Sequence, residues 1–311
     1  MANEDPGPFL AEDYLSDMKD FLILDPMNTY TPCTDKVELL VAILSRESDY
    51  EVRRNIRKTW MSSTLYDSSR TRVMFFVAKE GSKGSSPPII EEDVIAVNYK
   101  ENYYNLPMKT YAILSYHKEH CSKAKCLLKL DSDVMVDLKG IEDLCSEQGD
   151  TPAVTGYSYD TWVPVNRNTS SKFYIPRFVY SHDYYPPYAE GPAYLLSGGN
   201  ISTCLLEALH ETPFFRSENF RRLPEDVIFT GIARALARVK LNFALGWSMR
   251  KDKRLFYWCR QGKPATSLVY HGVSGLAIEN FWEQFYRMQE EAVNFGYLDR
   301  FVACQFYMSI A

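Results

Sequence analysis

No stretch of this chain approaches the roughly 20 apolar residues that a membrane-spanning helix requires. The nearest N-terminal candidate, Phe21-Leu22-Ile23-Leu24, is short and flanked by acids. Residues 1–20 are acidic and lack the basic start of a signal peptide. Taken literally, such a chain is soluble and untargeted. A surplus of positive charge is also missing. The net charge is −5, which argues against a nucleic-acid binder, since those usually carry a basic face. There are no internal repeats and no low-complexity tract. The seven cysteines (Cys33, Cys121, Cys126, Cys145, Cys204, Cys259 and Cys304) show no Cys-x-x-Cys or His-x-His spacing, so they form no zinc pattern. They fit either buried reduced thiols or disulfides, and the second needs an oxidising compartment. Asn168-Thr169-Ser170 and Asn200-Ile201-Ser202 match the N-glycosylation acceptor pattern and tilt the balance toward secretion.

What the chain does have is core-forming material, with 46% hydrophobic and 14% aromatic residues among 311. That length suits one large α/β domain or two smaller ones. Residues 1–35 carry acids and prolines without periodicity and read as a poorly ordered arm or stem. Strand-like runs follow at Val37–Leu44, Val73–Ala78, Asp93–Tyr99 and a segment ending at Asp131. Helical patterns lie between them at Arg53–Met61 and Asn105–Cys121, and a Gly/Ser/Pro loop spans Gly81–Pro88. Apolar runs alternating with helices predict a mostly parallel sheet with helices on its faces. The second half is less regular. Tyr174–Tyr188 reads as an ordered aromatic loop, Ala193–Leu196 as a strand, and Ile201–His210 and Asp226–Ala237 as helices. One domain over residues 36–290, followed by a tail at 291–311, is the simplest division.

Asp131 and Asp133 follow the apolar stretch Cys126-Leu127-Leu128. Residues i and i+2 of a strand share a face, so both acids would project from its carboxyl edge, where open α/β sheets bind ligands. Two hard oxygen ligands there suit Mg²⁺ or Mn²⁺ together with a substrate phosphate. A solvated strand-to-turn junction reads the same way. Arg53, Arg54, Arg57 and Lys58 either hold a diphosphate through bidentate donors or form a solvated helix face over Ile56 and Trp60. Lys109 either joins them or is an ordinary surface lysine. Leu223-Pro224-Glu225-Asp226-Val227 is either helix-start chemistry or a carboxylate held as general base. Tyr185-Pro186-Pro187-Tyr188 offers aromatic faces to sugars, or is a rigid turn packed on the core. His271 ends a strand-like run and matters as a ligand only where a metal is already implied.

Six motifs in order resemble the β-1,3-galactosyltransferases, inverting enzymes of glycosyltransferase family 31. They are Arg53–Trp60, Tyr103–Thr110, Lys129–Asp133, Tyr185–Gly191, Glu225–Gly231 and His271, within about residues 37–290. The resemblance implies a GT-A fold, with a nucleotide-binding α/β sheet and an acceptor-binding second half. It implies transfer of galactose from UDP-galactose to the 3-hydroxyl of an acceptor glycan on protein or lipid. UDP-N-acetylglucosamine or UDP-N-acetylgalactosamine remain alternative donors, and a non-catalytic chaperone or binding module an alternative role. Asp131, Asp133 and His271 are then the metal residues, for Mn²⁺ or Mg²⁺, with Asp133 the preferred contact. Arg54, Arg57, Lys109, Asp131 and Ser132 hold the nucleotide, and Asp226 is the catalytic base. The family resemblance also implies a Golgi setting, lumenal or membrane-anchored, although no anchor is visible. Three departures stand out. Ser132 replaces the middle acid of the usual triple. Ala189-Glu190 stands where Cys-Ser is common, with Pro192-Ala193 where glycine is usual. Asn98 stands where an acid is frequent.

Overall fold

In a computed structural model the described residues are 23–24, 33–79, 91–212, 215, 220–244, 246–248, 256–258, 264–273 and 276–292. In chain order the main elements are β1 (Leu39–Arg46), α1 (Tyr50–Lys58), β2 (Thr71–Lys79), β3 (Val94–Lys100), α2 (Leu106–His120), β4 (Cys126–Asp131), β5 (Val134–Val136) and α3 (Leu138–Glu147). They continue with β6 (Ala153–Ser158), β7 (Ala189–Ser197), α4 (Ile201–His210), a π-helix (Val227–Ala233), β8 (Lys240–Phe243), β9 (Trp247–Ser248), β10 (Val269–His271) and α5 (Leu276–Ala292).

Eight strands form the main sheet, in the order Ile23–Leu24, β3, β2, β1, β4, β7, β6, β8. The pairs β3–β2, β2–β1, β1–β4 and β6–β8 are parallel. Strand β7 runs antiparallel to both of its neighbours, and Ile23–Leu24 is antiparallel to β3. The expected mostly parallel α/β sheet is therefore present, with one reversed strand near its middle. Val, Ile and Leu fill β1 because both faces of the sheet are covered, which is why it reads as a continuous apolar run. Leu40, Ala42 and Leu44 enter one core cluster with α2 and α4, while Leu39, Val41 and Ile43 enter another with α1 and α3.

The expected segments land within a few residues of the observed strands and helices. Asp226–Ala237 is the exception in type, because its first part is a π-helix and only Arg234–Leu236 is α-helical. Ile23–Leu24 and residues 33–35 are described, but the rest of the expected N-terminal arm, the Gly81–Pro88 loop and the tail beyond Ala292 lie outside the described residues. Among the described residues, no helix is long and apolar enough to cross a membrane.

Four cysteines pair. Cys33–Cys121 ties the segment before β1 to the end of α2, and Cys126–Cys145 ties the start of β4 to α3. Cys204 is free, and Cys259 and Cys304 lie outside the described residues. Of the two readings open for the cysteines, pairing prevails for these four.

Candidate active site

The carboxyl edge of β4 places Asp131 opposite Leu44 of β1, one residue before Ser45. A two-residue turn at Ser132-Asp133 then leads into β5, which pairs antiparallel with β10 and sets Val134 against His271. His271 Nε2 lies 3.4 Å from Asp133 Oδ2. Burial pushes the Asp133 carboxyl up, and the His271 contact more than offsets this, holding it below its ordinary value. The pair expected from two residues 138 positions apart is thus assembled by backbone pairing between two short strands.

Asp131 is differently engaged. Its Oδ1 accepts a hydrogen bond from Lys129 Nζ at 2.7 Å. Lys129 is fully buried in β4, and its ammonium also donates to the Gly191 carbonyl at 2.6 Å and lies 3.6 Å from Glu225 Oε2. Burial alone would push Lys129 down, but the charges of Asp131 and Glu225 hold it above its ordinary value, so it stays protonated. Among the described residues, no group of three or more His, Cys, Asp or Glu side chains is gathered to hold a metal. The Asp133 carboxylate offers a hard oxygen to a Mg²⁺- or Mn²⁺-like ion, and the His271 imidazole adds a nitrogen that suits a transition metal such as Mn²⁺ better than Mg²⁺. Such an ion uses one or two carboxylates and takes its remaining oxygens from water and substrate phosphate.

Asp226 stands at the start of the π-helix as its N-cap. Its Oδ1 accepts from Val227 N at 2.9 Å, and its Oδ2 accepts from Gly191 N at 3.1 Å. Those bonds and Lys129 favour the charged form, but burial first and the neighbouring Glu225 second outweigh them. The carboxyl is pushed up to about 7. Glu225 itself is buried and accepts from Thr110 Oγ1 at 2.7 Å and Tyr194 OH at 2.5 Å. Gly231 eases this approach, since a Cβ there would sit a tight 3.2 Å from Tyr188 Cβ, whereas one on Gly191 would meet Asp226 Oδ2 at an ordinary 3.4 Å. The Tyr185–Gly191 segment therefore lies directly on the π-helix, and Thr230 Oγ1 bonds both the amide and carbonyl of Ala189 at 2.9 Å. π-Helical turns are often found at functional sites.

The cations sort themselves by depth. Arg53, expected only as one of four cations on a diphosphate or a solvated face, is buried and donates to Glu91 at 2.8 Å, Ser45 Oγ at 3.1 Å and the Arg46 carbonyl at 2.6 Å. Lys109, read as a possible surface lysine, is also buried and donates to Glu101 at 2.7 Å and the Ser45 carbonyl at 2.8 Å. Burial pushes Lys109 down, and Glu101 offsets only part of this. Both residues thus meet at Ser45, beside the edge that carries Asp131. Arg57 instead donates to Asp93 and Glu91 at 2.6–2.8 Å and covers the Phe75 ring. Arg54 is exposed on α1 and pairs with Glu51 at 2.9 Å. A solvent-exposed pair of this kind contributes about 0–1 kcal/mol. Arg54→Ala is therefore expected to change the donor KM by no more than about twofold, because the side chain is not gathered at the Asp131 edge. A tenfold rise in steady-state assays would return Arg54 to the site.

Sequence reasoning gave no role to Lys129, Thr110 or Tyr194. The available signal was a lysine in the middle of a buried apolar strand, which requires a partner. Tyr103 was also passed over. More than half of the residue is exposed, yet burial and then the charges of Asp226 and Asp131 push its hydroxyl up.

With this geometry in view, the sequence model described as Galactosyltransferase matches residues 51–242, more than half of the 311. The chain belongs to the galactosyltransferase family. Beta-1,3-galactosyltransferase 1 of Homo sapiens is 26% identical over 200 residues, covering 61% of this chain and 60% of that protein. Beta-1,3-galactosyltransferase 2 of Mus musculus is 29% identical over 224 residues, covering 68% of this chain and 51% of that protein. The chain thus spans about half to three-fifths of the length of these curated relatives. A crystal structure of the galactosyltransferase LgtC with donor and acceptor sugar analogs overlaps 81% of this chain and 95% of its own. That structure is 13% identical in sequence, with a TM-score of 0.36. The family expected from the six ordered motifs is the family found.

Proposed function

We propose that this chain is an inverting hexosyltransferase that moves galactose from UDP-galactose to the 3-hydroxyl of an acceptor glycan on protein or lipid. One observation carries the reading. Two acid clusters from distant parts of the chain, Asp131–Asp133 and Glu225–Asp226, meet at one sheet edge with Lys129 between them. Single-displacement inversion needs a base on the face opposite the leaving diphosphate, hence two separate acid groups. Asp226 is the base, since a carboxyl pushed up to about 7 is matched to proton abstraction near neutral pH.

Asp133 and His271 would hold Mn²⁺ or Mg²⁺, and a bound ion would neutralise charge developing on the diphosphate. Lys109 and Arg53 lie beside that edge and would favour the diphosphate by their charge. Asp131 serves mainly as the counter-ion of Lys129, and Ser132 shapes the turn that presents Asp133. A Golgi-lumenal setting agrees with the two disulfides, which persist where the milieu is oxidising. Asn168 is exposed in a turn and suits glycosylation. Ser202 of the other sequon is buried against His117, while Asn200 is exposed.

Purified protein should be assayed for hydrolysis and transfer with UDP-galactose, UDP-N-acetylglucosamine and UDP-N-acetylgalactosamine, each with Mn²⁺ and with a chelator. The expected result is a preference for UDP-galactose that the chelator abolishes, with a β-1,3 linkage in the product. Preference for another donor reassigns the sugar. Inactivity with all three favours a second reading, a non-catalytic glycosyltransferase-like module. That reading draws on Lys129 occupying Asp131 instead of leaving it open to an ion.

A further inference from the structure

A cavity of about 930 Å³ lies between the aromatic loop and the end of the π-helix, lined among others by Trp162, Tyr180, His182, Tyr184, Glu211 and Leu236. Three of the large apolar side chains around it remain exposed to solvent: Trp162 by 63%, Tyr184 by 53% and Leu236 by 57%. Exposed aromatic and aliphatic groups gathered at one concave place mark a binding surface.

The wall of this groove is held rigidly. Arg167 donates to the carbonyls of Ile175, Tyr180 and His182 at 2.6–2.8 Å, pinning the loop from three points. Val163–Pro164 pairs antiparallel with Tyr184–Tyr185, with Pro164 opposite Tyr184 and Val163 opposite Tyr185, which anchors the chain that carries Trp162. Pre-organisation of this kind lowers the ordering cost of binding. Ring contacts through the buried Tyr185 link the groove wall to the Asp226 site. Tyr180 packs on Tyr185 with centroids 5.2 Å apart, and Tyr185 meets Tyr188 edge-on at 6.4 Å. Tyr188 then lies in the field of Asp226, whose charge helps burial push its hydroxyl up. A run of tyrosines thus leads from the groove to the base.

The charges around the groove define the ligand. Asp183 is paired with Arg177 at 2.7 Å, which leaves Glu211 and His182 among the titratable lining groups. Among the described residues no lysine or arginine lines the cavity, and Arg177 at its rim is paired with Asp183, so an anionic chain finds little counter-charge there. Flat aromatic rings with hydrogen-bonding groups between them suit the apolar face and hydroxyls of uncharged sugars.

We propose that this groove is a subsite for the distal sugars of a neutral oligosaccharide acceptor whose terminal unit sits at Asp226. The proposal rests on the glycosyltransferase reading and extends it to acceptor length. It is tested with Trp162→Ala and Tyr184→Ala, both exposed positions. The acceptors are neutral saccharides of one to six units ending in galactose, N-acetylglucosamine or N-acetylgalactosamine. Expected is a rise of about 5–10-fold in KM for tetra- to hexasaccharides, the scale of a lost aromatic contact. The kcat, the KM for mono- and disaccharides and acceptor-free UDP-sugar hydrolysis should stay unchanged. Equal effects on short and long acceptors, or none on either, overturn the proposal. If the wild type proves catalytically silent, calorimetric titration with the same hexasaccharides decides separately. Binding lost in Trp162→Ala upholds the subsite, and no binding to the wild type overturns it. A shift from dimer to monomer in Trp162→Ala by sedimentation would instead make this face a protein interface and overturn the glycan assignment.

Discussion

Asp226→Asn is expected to lower the transfer rate by about 10²–10⁴-fold, the usual contribution of a general base, with UDP affinity unchanged. Asparagine keeps an oxygen that accepts from Val227 N or Gly191 N, so the cap and the fold should survive. What disappears is the proton acceptor. The wild-type rate should rise with pH through about 7, because the carboxyl must be ionised to act and is pushed up to about 7. Stability should move the other way. The folded carboxyl holds its proton up to about 7, against an ordinary value of 3.8, so the native state binds more protons than the unfolded chain between these values. Its contribution to stability is present below about 4 and is lost as pH rises toward 7. Asparagine has no such loss. The variant's melting temperature relative to wild type should therefore climb between pH 5 and pH 8. Near-normal transfer by the variant would remove Asp226 from the base role. A pH-independent melting difference would show that its carboxyl is not held neutral by burial.

The first half of the fold was legible because parallel strands covered on both faces are written as unbroken apolar runs. Leu39–Leu44 and Val73–Ala78 have no polar residue to interrupt them. Strand β7 was legible as a strand, but its reversed direction was not, since apolar side chains do not encode which way a neighbour runs. Strand β6 hid because Gly156, Tyr157 and Ser158 dilute a run of six residues. The π-helix hid because its residues share the apolar spacing of an ordinary helix. Gly231 was visible, but the Tyr188 contact that requires it lies 43 positions away.

The site was legible as residue types in order, and less so as contacts. Asp133 and His271 meet because β5 and β10 pair, a match that two three-residue strands do not announce. The basic run Arg53–Lys58 reads either as one diphosphate-holding set or as one solvated face, yet α1 turns its members to different depths. Arg53 goes inward to Glu91, Arg57 covers Phe75, and Arg54 faces solvent. The acids that claim Arg53 and Arg57 sit 34–38 positions later, so no local pattern could show that these guanidiniums are already partnered.

Lys129→Met should be the most damaging single change outside the reacting groups. Removing one partner of a buried ion pair costs about 3–5 kcal/mol, because the remaining charges are left without compensation. Here those charges are Asp131 and Glu225, and the Gly191 carbonyl also loses its donor. For a chain of this size the expected fall in melting temperature is on the order of 10 °C. A plain packing defect would predict a comparable fall, so a double-mutant cycle is needed. If the cost is electrostatic, Lys129→Met combined with Glu225→Gln should be less destabilised than the two single changes added together. Strict additivity would mean that Lys129 acts through its volume. A second readout comes from the base. Lys129 is among the groups that pull Asp226 down against its burial, so its loss should raise that carboxyl further. The pH–rate midpoint of the variant should then move to higher pH than in wild type, a shift that a structural lysine remote from the base would not produce.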